Sequence, residues 1–371
     1  MFDVVVIGAG MAGLTVASQL RHAGYKVVVV EKSRGLGGRV TTRRLHGTCA
    51  DRGAKFLEPK DDFLRRLVHI LSDRGLIVPW CDRVYAANSP GNLQLAGVPN
   101  WCPYFIPPTG MSAIAKFMSQ GLDIWLNRRS IKIMPKDDNL WHIFLENTGN
   151  NSEDKTPIDI ISKAVVVAIP APQALMLVEP LAEIGLPHYF LSNLRSVKFA
   201  ACLSVIAGYS QDRQEDLAKR EIAWRSVVFP QDEKLAWLSW DSSKRNNSEY
   251  PVFVIHSTST FAEKYLDSND LIPAGNELLH HVSEYLDSWF NTPEWLQVDR
   301  WRYAFPSHIL AKNCLFSFKP LPIACCGDWC LGNNIENALN SGFAAAHKIN
   351  RMLDNKQLLS KEIFWNVVTR N

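Results

Sequence analysis

MFDVVVIGAGMAGLTVASQLRHAGYKVVVVEKSRGLGGRVTTRR, residues 1–44, places an apolar run, three glycines, a helical pattern and a second apolar run in direct succession. Asp3 to Ile7 is short, β-branched and apolar, the composition of a strand buried on both faces of a parallel sheet. Gly8, Gly10 and Gly13 follow with G-x-G-x-x-G spacing, and Leu14, Ala17, Ser18, Leu20 and Arg21 continue with helical periodicity. Gly8 suits a tight turn, Gly10 lets a pyrophosphate approach the backbone, and Gly13 lets the helix lie close on the strand. The helix start then offers unpaired N–H groups and the positive end of its dipole to an anion. Val27 to Val30 form the second strand, and Glu31 follows at the distance where a carboxylate reaches an adenosine ribose. The acid disfavours a 2′-phosphate there by like-charge repulsion.

These features predict a dinucleotide-binding βαβ unit but leave NAD and FAD open. The next segment, EKSRGLGGRVTTRR, sets Gly37, Gly38 and Arg39 behind the acidic strand end. Such a second close approach, carrying a cation, suits an extended diphosphate clamped from two sides, although a solvated basic turn would look the same.

Near the other end, Leu321 to Cys326 is a strand candidate closed by Gly327 and Asp328, and NALNSGFAAAHKINRML carries the small and apolar residues of a buried helix. Between the two ends, SIKIMPKDDNLWHIFLENTGN (130–150) reads as an antiparallel meander, with its polar run 146–157 at a hairpin tip. From Pro170 to about Asp299, aromatic-rich strands such as LAWLSW (235–240) and VFVIHS (252–257) alternate with helical stretches, the pattern of a mixed sheet with helices on one face. His256 sits on one of these strands among apolar neighbours, and Trp301, Arg302 and Tyr303 form an Arg–aromatic group suited to a planar or anionic ligand or to plain packing.

The chain has 371 residues, 40 basic and 37 acidic side chains and a formal net charge of +3, too small and dispersed to imply a nucleic-acid partner. The longest apolar stretch, around Ala164 to Val178, is broken by Pro170 and Pro172, so no membrane span is expected. The N-terminus enters a strand at once, without the pattern of a signal peptide. Eight cysteines show no ligand or disulfide-framework spacing, which predicts free thiols in a reducing cytoplasm. His280 and His281 lie on a helical pattern and are not expected to bind metal; no metal site is expected. No Ser-His-Asp or paired-carboxylate arrangement signals hydrolysis.

The run GAGMAGL…VVVVEKSRGLGGRVTTRR…DRGAKFL resembles the N-terminus of the FAD-dependent amine-oxidase superfamily and, within it, the renalase-like branch. The resemblance continues through PPTGMSAIAKFM (107–118), AVVVAIPAPQALML (164–177), VIHSTSTF (254–261), DRWRYAFP (299–306) and CCGDWCLGNNIENALNSGFAAA (325–346), and so covers nearly the whole chain. It implies an α/β fold with a Rossmann-type FAD-binding domain of the p-hydroxybenzoate hydroxylase-like (GR2) kind, interleaved with a mixed α+β substrate domain. The expected division is 1–78, 107–169 and 301–371 for the FAD-binding domain, and 79–106 and 170–300 for the substrate domain.

By the same resemblance FAD is held non-covalently by Gly8, Gly10, Met11, Ala12, Gly13, Glu31, Lys32, Gly38, Arg39, Gly53, Ala54, Gly327, Asp328 and Asn337, with Asp328 on a ribityl hydroxyl and the helix start near Asn334 to Asn337 facing the flavin pyrimidine ring. A covalent tether through Cys326 or Cys330, as some amine oxidases have, is disfavoured. His256, Trp301 and Arg302 are the expected catalytic residues. The implied reaction is hydride transfer from isomeric (2- or 6-) dihydronicotinamide NAD(P)H, with dioxygen as acceptor and hydrogen peroxide as product. An amine oxidase of the same superfamily, or a low-turnover flavin-binding sensor or interaction protein, are the alternatives. The chain departs from the renalase-like pattern at Phe261 and Ala262, where a Trp-Ser pair is usual, and at Asn337 and Asn340 in IENALNSG, where relatives tend to read VEGAWLSG. These changes bear on the substrate pocket more than on the flavin lobe.

Overall fold

The computed structural model describes residues 1–97, 103–136, 138–149, 158–246 and 248–368. Part of the polar run 146–157, and Cys102, lie outside the described residues.

Two sheets organise the chain. The first runs in the order Arg128–Lys136, Leu140–Asn147, Ile158–Val167, Phe2–Ile7, Val27–Val30, Asp123–Trp125. The expected meander forms its antiparallel side, and Phe2–Ile7 pairs in parallel with both Ile158–Val167 and Val27–Val30. The far half of Ile158–Val167 takes a further parallel partner, Ile323–Cys325, which carries Leu315–Ser317 antiparallel. Every residue of Val27–Val30 is buried, because helices cover both faces and leave no side for a polar residue to point outward.

On one face lie the helices Met11–His22 and Ile335–Met352, whose apolar residues join Val4, Val6, Val29 and Val166 in one core. The two helices cross closely enough that a Cβ on Gly342 would come within 2.3 Å of the Ala12 carbonyl oxygen. This explains the run of small residues around Gly342. The opposite face packs Val5, Val28, Val165 and Val167 against the helices Ala171–Val178 and His188–Ser196.

The second sheet runs Trp295–His308, Lys198–Gly208, Val252–Ser257, Leu235–Trp240, Ser226–Val228, Tyr85–Ser89, Asn92–Leu95. All of its pairings are antiparallel except that of Ser226–Val228 with Tyr85–Ser89. Phe253 and Ile255 face the helices Ser259–Glu263 and Ile272–Tyr285, whereas Val252 and Val254 face Ala50 and the hairpin Thr42–Leu45/Thr48–Asp51. One face of the second sheet therefore looks toward the segment that follows the Gly37–Gly38 turn. Trp295–His308 belongs to this sheet along its whole length, across the expected boundary at 300/301.

Candidate active site

At the C-terminal ends of the parallel strands the chain builds a concave edge from backbone. Gly8 has φ of +105°, a conformation that side chains with a Cβ resist. A Cβ on Gly13 would lie 2.0 Å from the Gly8 carbonyl oxygen, so this glycine is required by the helix–strand approach. Gly10 differs. Its φ is −77° and an added Cβ would meet nothing within 4 Å, so the space in front of it is open and backbone-lined. The helix Met11–His22 starts at Gly10 with no capping side chain and no acid in its first turn. Uncapped N–H groups beside open space suit a diphosphate, as the spacing predicted.

Gly37 donates its N–H to the Ala9 carbonyl at 2.9 Å, which brings the second glycine turn alongside the first. Arg39 and the segment after it are locked together: Ala54 donates to the Arg39 carbonyl at 2.9 Å, and a Cβ on Gly53 would come within 1.9 Å of that oxygen. Met11 and Ala12 are buried at the helix start, whereas Lys32 and Gly38 are exposed around the rim.

Glu31 is buried, and its carboxylate accepts from Ala9 N at 2.9 Å and Ser33 N at 2.8 Å. It therefore braces the glycine loop itself, with lone pairs left over for a ribose hydroxyl. Arg39 forms a two-pronged pair with Asp328, Nη1 to Oδ2 at 2.9 Å and Nη2 to Oδ1 at 2.6 Å, and also donates to the Ala304 carbonyl at 3.0 Å. The motifs from the two chain ends meet directly in this pair. Asn337 lies in the first turn of the helix Ile335–Met352. Its N–H donates to the Asn334 side chain at 2.8 Å, and Glu336 occupies the first turn, its carboxylate accepting from Lys60 N at 3.0 Å. The start of this helix is thus partly satisfied from within the chain, by the Asn334 cap, and carries a negative charge at Glu336.

The second cluster lies where the sheet face carrying Val252 and Val254 meets residues 43–55. Strand alternation puts His256 on that face, with Ser204 and Trp237 as its register partners. The same two-residue period places Asp299 and Trp301 there and sends Arg300 and Arg302 to the other side. His256 Nε2 lies 3.3 Å from the Arg52 carbonyl oxygen, and Trp301 Nε1 donates to the same oxygen at 3.1 Å. Arg52 in turn pairs with Asp299 at 2.9 Å and stacks its guanidinium over the Trp301 ring at 5.0 Å. Two of the expected catalytic residues thus converge on one carbonyl. Arg302 does not join them; it pairs with Asp267 at 2.6 Å on the exposed side of the sheet, where it donates to Leu266 O as well.

Burial, reinforced by the nearby positive charge of Lys55, pushes the His256 imidazole down to about 3, so it is neutral at physiological pH. With Nε2–H directed at a carbonyl, Nδ1 is left as a bare acceptor, and this atom is buried without a partner.

Sequence reasoning missed Lys55. Its ammonium stands 3.8 Å over the Trp237 ring centroid, beside Cys202, and no carboxylate among the described residues pairs with it. Burial lowers it to about 8, and Lys244 lowers it further while Cys202 opposes the shift. Cys202 itself is pushed up to about 12 by burial and remains a thiol. Lys55 could have been found as the one charged residue in DRGAKFL that follows a close-packed Gly-Ala pair, but nothing local says that its charge has no partner.

Beneath this face sits a fully buried ionic cluster: Lys244 with Asp241 at 2.7 Å, Arg245 with Asp241 at 2.7 Å and with Asp51 at 2.8 Å. Asp51 also accepts from Met111 N at 2.8 Å and Thr42 Oγ1 at 2.7 Å. The two acids and two bases neutralise each other and tie the hairpin Thr42–Leu45/Thr48–Asp51 to the residues that follow Leu235–Trp240 of the second sheet.

A family of flavin-containing amine oxidoreductases matches residues 80–350, and an NAD(P)-binding Rossmann-like domain matches residues 6–71. The chain belongs to the flavin-containing amine oxidoreductase family. Its cofactor is FAD, and the open, uncapped cradle at Gly10 fits the diphosphate of that nucleotide. Binding is non-covalent, as is typical of the family; Cys326 and Cys330 are buried thiols.

A stretch of 60 residues, 16% of this chain, is 47% identical to part of a Mycobacterium tuberculosis protein provisionally described as flavin-containing monoamine oxidase AofH, 13% of which is covered. A stretch of 68 residues is 43% identical to part of an L-amino-acid oxidase of Echis ocellatus, covering 18% of this chain and 14% of that one. These alignments span only about a seventh of the relatives' length. Among solved structures, putrescine oxidase bound to putrescine superposes with a TM-score of 0.68 at 14% identity, over 94% of this chain and 99% of that one. Cyclohexylamine oxidase of Brevibacterium oxydans gives 0.69 at 13% identity, over 95% and 99%. At such identity the likeness concerns the fold. No helix among the described residues is long and apolar enough to cross a membrane, and no group of acidic, histidine and cysteine side chains among them could hold a metal.

Proposed function

We propose that this oxidoreductase is a renalase-like oxidase: it takes hydride from a small donor whose reacting ring is neutral, foremost the isomeric 2- or 6-dihydronicotinamides of NAD(P)H, and delivers the electrons to dioxygen. The observation that carries the reading is the convergence of neutral His256 and Trp301 on the Arg52 carbonyl, in a cluster where every described carboxylate is already engaged. Asp299 is held by Arg52, and Asp51 and Asp241 by Lys244 and Arg245. No unpaired carboxylate is therefore at hand to act as a base. A dihydronicotinamide needs none, because loss of hydride leaves an aromatic cation without loss of a further proton.

FAD, when bound, supplies the hydride acceptor and the route of electrons to dioxygen. The protein's own contribution is positional. Glu31, the uncapped N–H groups after Gly10, and the paired Arg39 and Asp328 would hold the nucleotide. The bare Nδ1 of His256 would accept a hydrogen bond from the carboxamide N–H of a nicotinamide, and the Trp301 and Trp237 rings would exclude water around it. The net reaction balances as donor-H plus dioxygen plus one proton giving oxidised donor cation plus hydrogen peroxide. Seven described cysteines without a disulfide support work in the reducing cytoplasm.

Anaerobic mixing of the purified yellow protein with a panel of donors tests the proposal. Bleaching of the flavin band by 2- or 6-dihydronicotinamides, with peroxide on admitting air, is the expected result. Bleaching by polyamines or aryl amines instead, with none by dihydronicotinamides, would overturn it.

A further inference from the structure

We infer that Lys55 is a specificity-determining residue: it receives an anionic oxygen, carboxylate or phosphate, of the donor at the boundary between the two sheets, and it disfavours donors that arrive as cations. The inference deepens the proposed function and rests on that reading for the location of the donor.

Of the cationic side chains gathered under the second sheet, Lys244 and Arg245 are matched by Asp241 and Asp51, and Arg52 by Asp299. Arg43 shares Asp299 at 3.3 Å. Lys55 has no carboxylate partner among the described residues. Its surroundings are the Trp237 ring, the neutral thiol of Cys202, the neutral imidazole of His256 and the like charge of Lys244.

A cation–π contact favours an ammonium but brings no negative charge. A half-buried ammonium without a counter-ion is costly, and an anionic group bound beside it would complete the pair. His256 cannot serve as counter-ion, since an imidazole is neutral or cationic and never supplies negative charge; burial and Lys55 keep it neutral. The complementary ligand is an anion, and a protonated amine entering the same space would meet the ammonium of Lys55 with no unpaired acid to offset it.

The ammonium lies close enough to neutrality that the effect has a definite sign with pH. Lys55 loses its proton around pH 8, so anion affinity is present below that value and declines as pH rises through it. The groups that face Lys55 do not titrate in this window in a compensating sense: His256 charges only near pH 3, and Cys202 loses its proton only near 12.

The test uses the FAD-loaded protein, so that the diphosphate cradle is filled, and benzoate, inorganic phosphate, benzamide and benzylamine as probes. The flavin absorbance and tryptophan fluorescence report binding. Saturable binding of benzoate or phosphate, weakened about tenfold or more by Lys55→Met and retained by Lys55→Arg, is expected, with benzamide indifferent to the substitution. Benzoate without phosphate would assign a carboxylate, and the reverse a phosphate. Equal anion binding by Lys55→Met, no saturable binding of either anion, or benzylamine binding more tightly than benzoate would each overturn the inference. Flavin content and circular dichroism matching the wild type show that Lys55→Met is folded. If dihydronicotinamides fail to bleach the flavin while anion binding still depends on Lys55, the proposed donor falls and the assignment of Lys55 stands.

Discussion

The cradle around Gly10 and the cluster around Lys55 are built on opposite plans. The cradle is backbone. Its shape follows from Gly8 at a positive φ, Gly13 under the strand and a helix that begins without a cap, all within a few residues of sequence. The boundary cluster is side chain, assembled from residues 51–55, 202–204, 237–245, 256 and 299–301 by the register of a long antiparallel sheet. A local device tolerates change elsewhere in the chain but no change in its own atoms. An assembled device responds to charge and packing at a distance.

The sharpest way to break this comparison is at the glycines. Gly13→Val is expected to abolish soluble folded protein, since its Cβ would already lie 2.0 Å from the Gly8 carbonyl oxygen. Gly10→Val should fold with an unchanged melting temperature as apoprotein and yet purify colourless, because the space it fills belongs to the diphosphate rather than to the protein. A yellow Gly10→Val would show that the cradle is not where the nucleotide sits.

The buried ions come next. Asp241→Leu leaves Lys244 and Arg245 short of an acid in a fully buried setting, which costs about 3–5 kcal/mol in chemical denaturation. Burial alone would raise the Asp241 carboxyl, but Lys244 and Arg245 outweigh it and hold it below the usual range. A lowered folded value means that its contribution is fully present above the unfolded carboxylate range, near about 4, and is lost as pH falls through the lower folded value. The pH dependence of stability in acid should therefore flatten in Asp241→Leu relative to wild type.

Glu31→Ala should cost about 1–3 kcal/mol of thermal stability through the orphaned Ala9 and Ser33 amides, together with a loss of retained flavin on gel filtration. The smallest effect belongs to Arg302→Ala. Its side chain is 48% exposed and its partner Asp267 is 89% exposed, so stability should stay within about 0.5 kcal/mol and kcat/KM should match wild type. A large fall in kcat/KM for Arg302→Ala would mean that the exposed side of the sheet takes part in turnover, against the placement of the site on the opposite face.

The residues legible from sequence are those whose role is decided by near neighbours. The strand Phe2–Ile7, the helix from Met11, the acid at Glu31 and the strand ending at Cys325 were all readable because buried parallel strands and glycine turns leave local patterns. His256 and Trp301 were readable as candidates only, and their neighbour Arg302 was grouped with Trp301 because an Arg–aromatic run shows composition and not which face each residue takes. The helix start near Asn334 to Asn337 was readable as an element, whereas its Asn334 cap and the charge of Glu336 in its first turn became visible only in the structure.

The amino-acid sequence by itself determined that this chain folds a dinucleotide cradle, because a G-x-G-x-x-G turn between a buried strand and a helix restricts the backbone within a dozen residues. Only the tertiary structure decided which charges end without partners. Whether Lys55 meets a carboxylate depends on how Asp51, Asp241 and Asp299 are shared among Lys244, Arg245, Arg52 and Arg43, and that sharing is set by strand register across the whole second sheet. Coulomb interactions act through space between residues that the chain brings together last, so no window of sequence contains the answer.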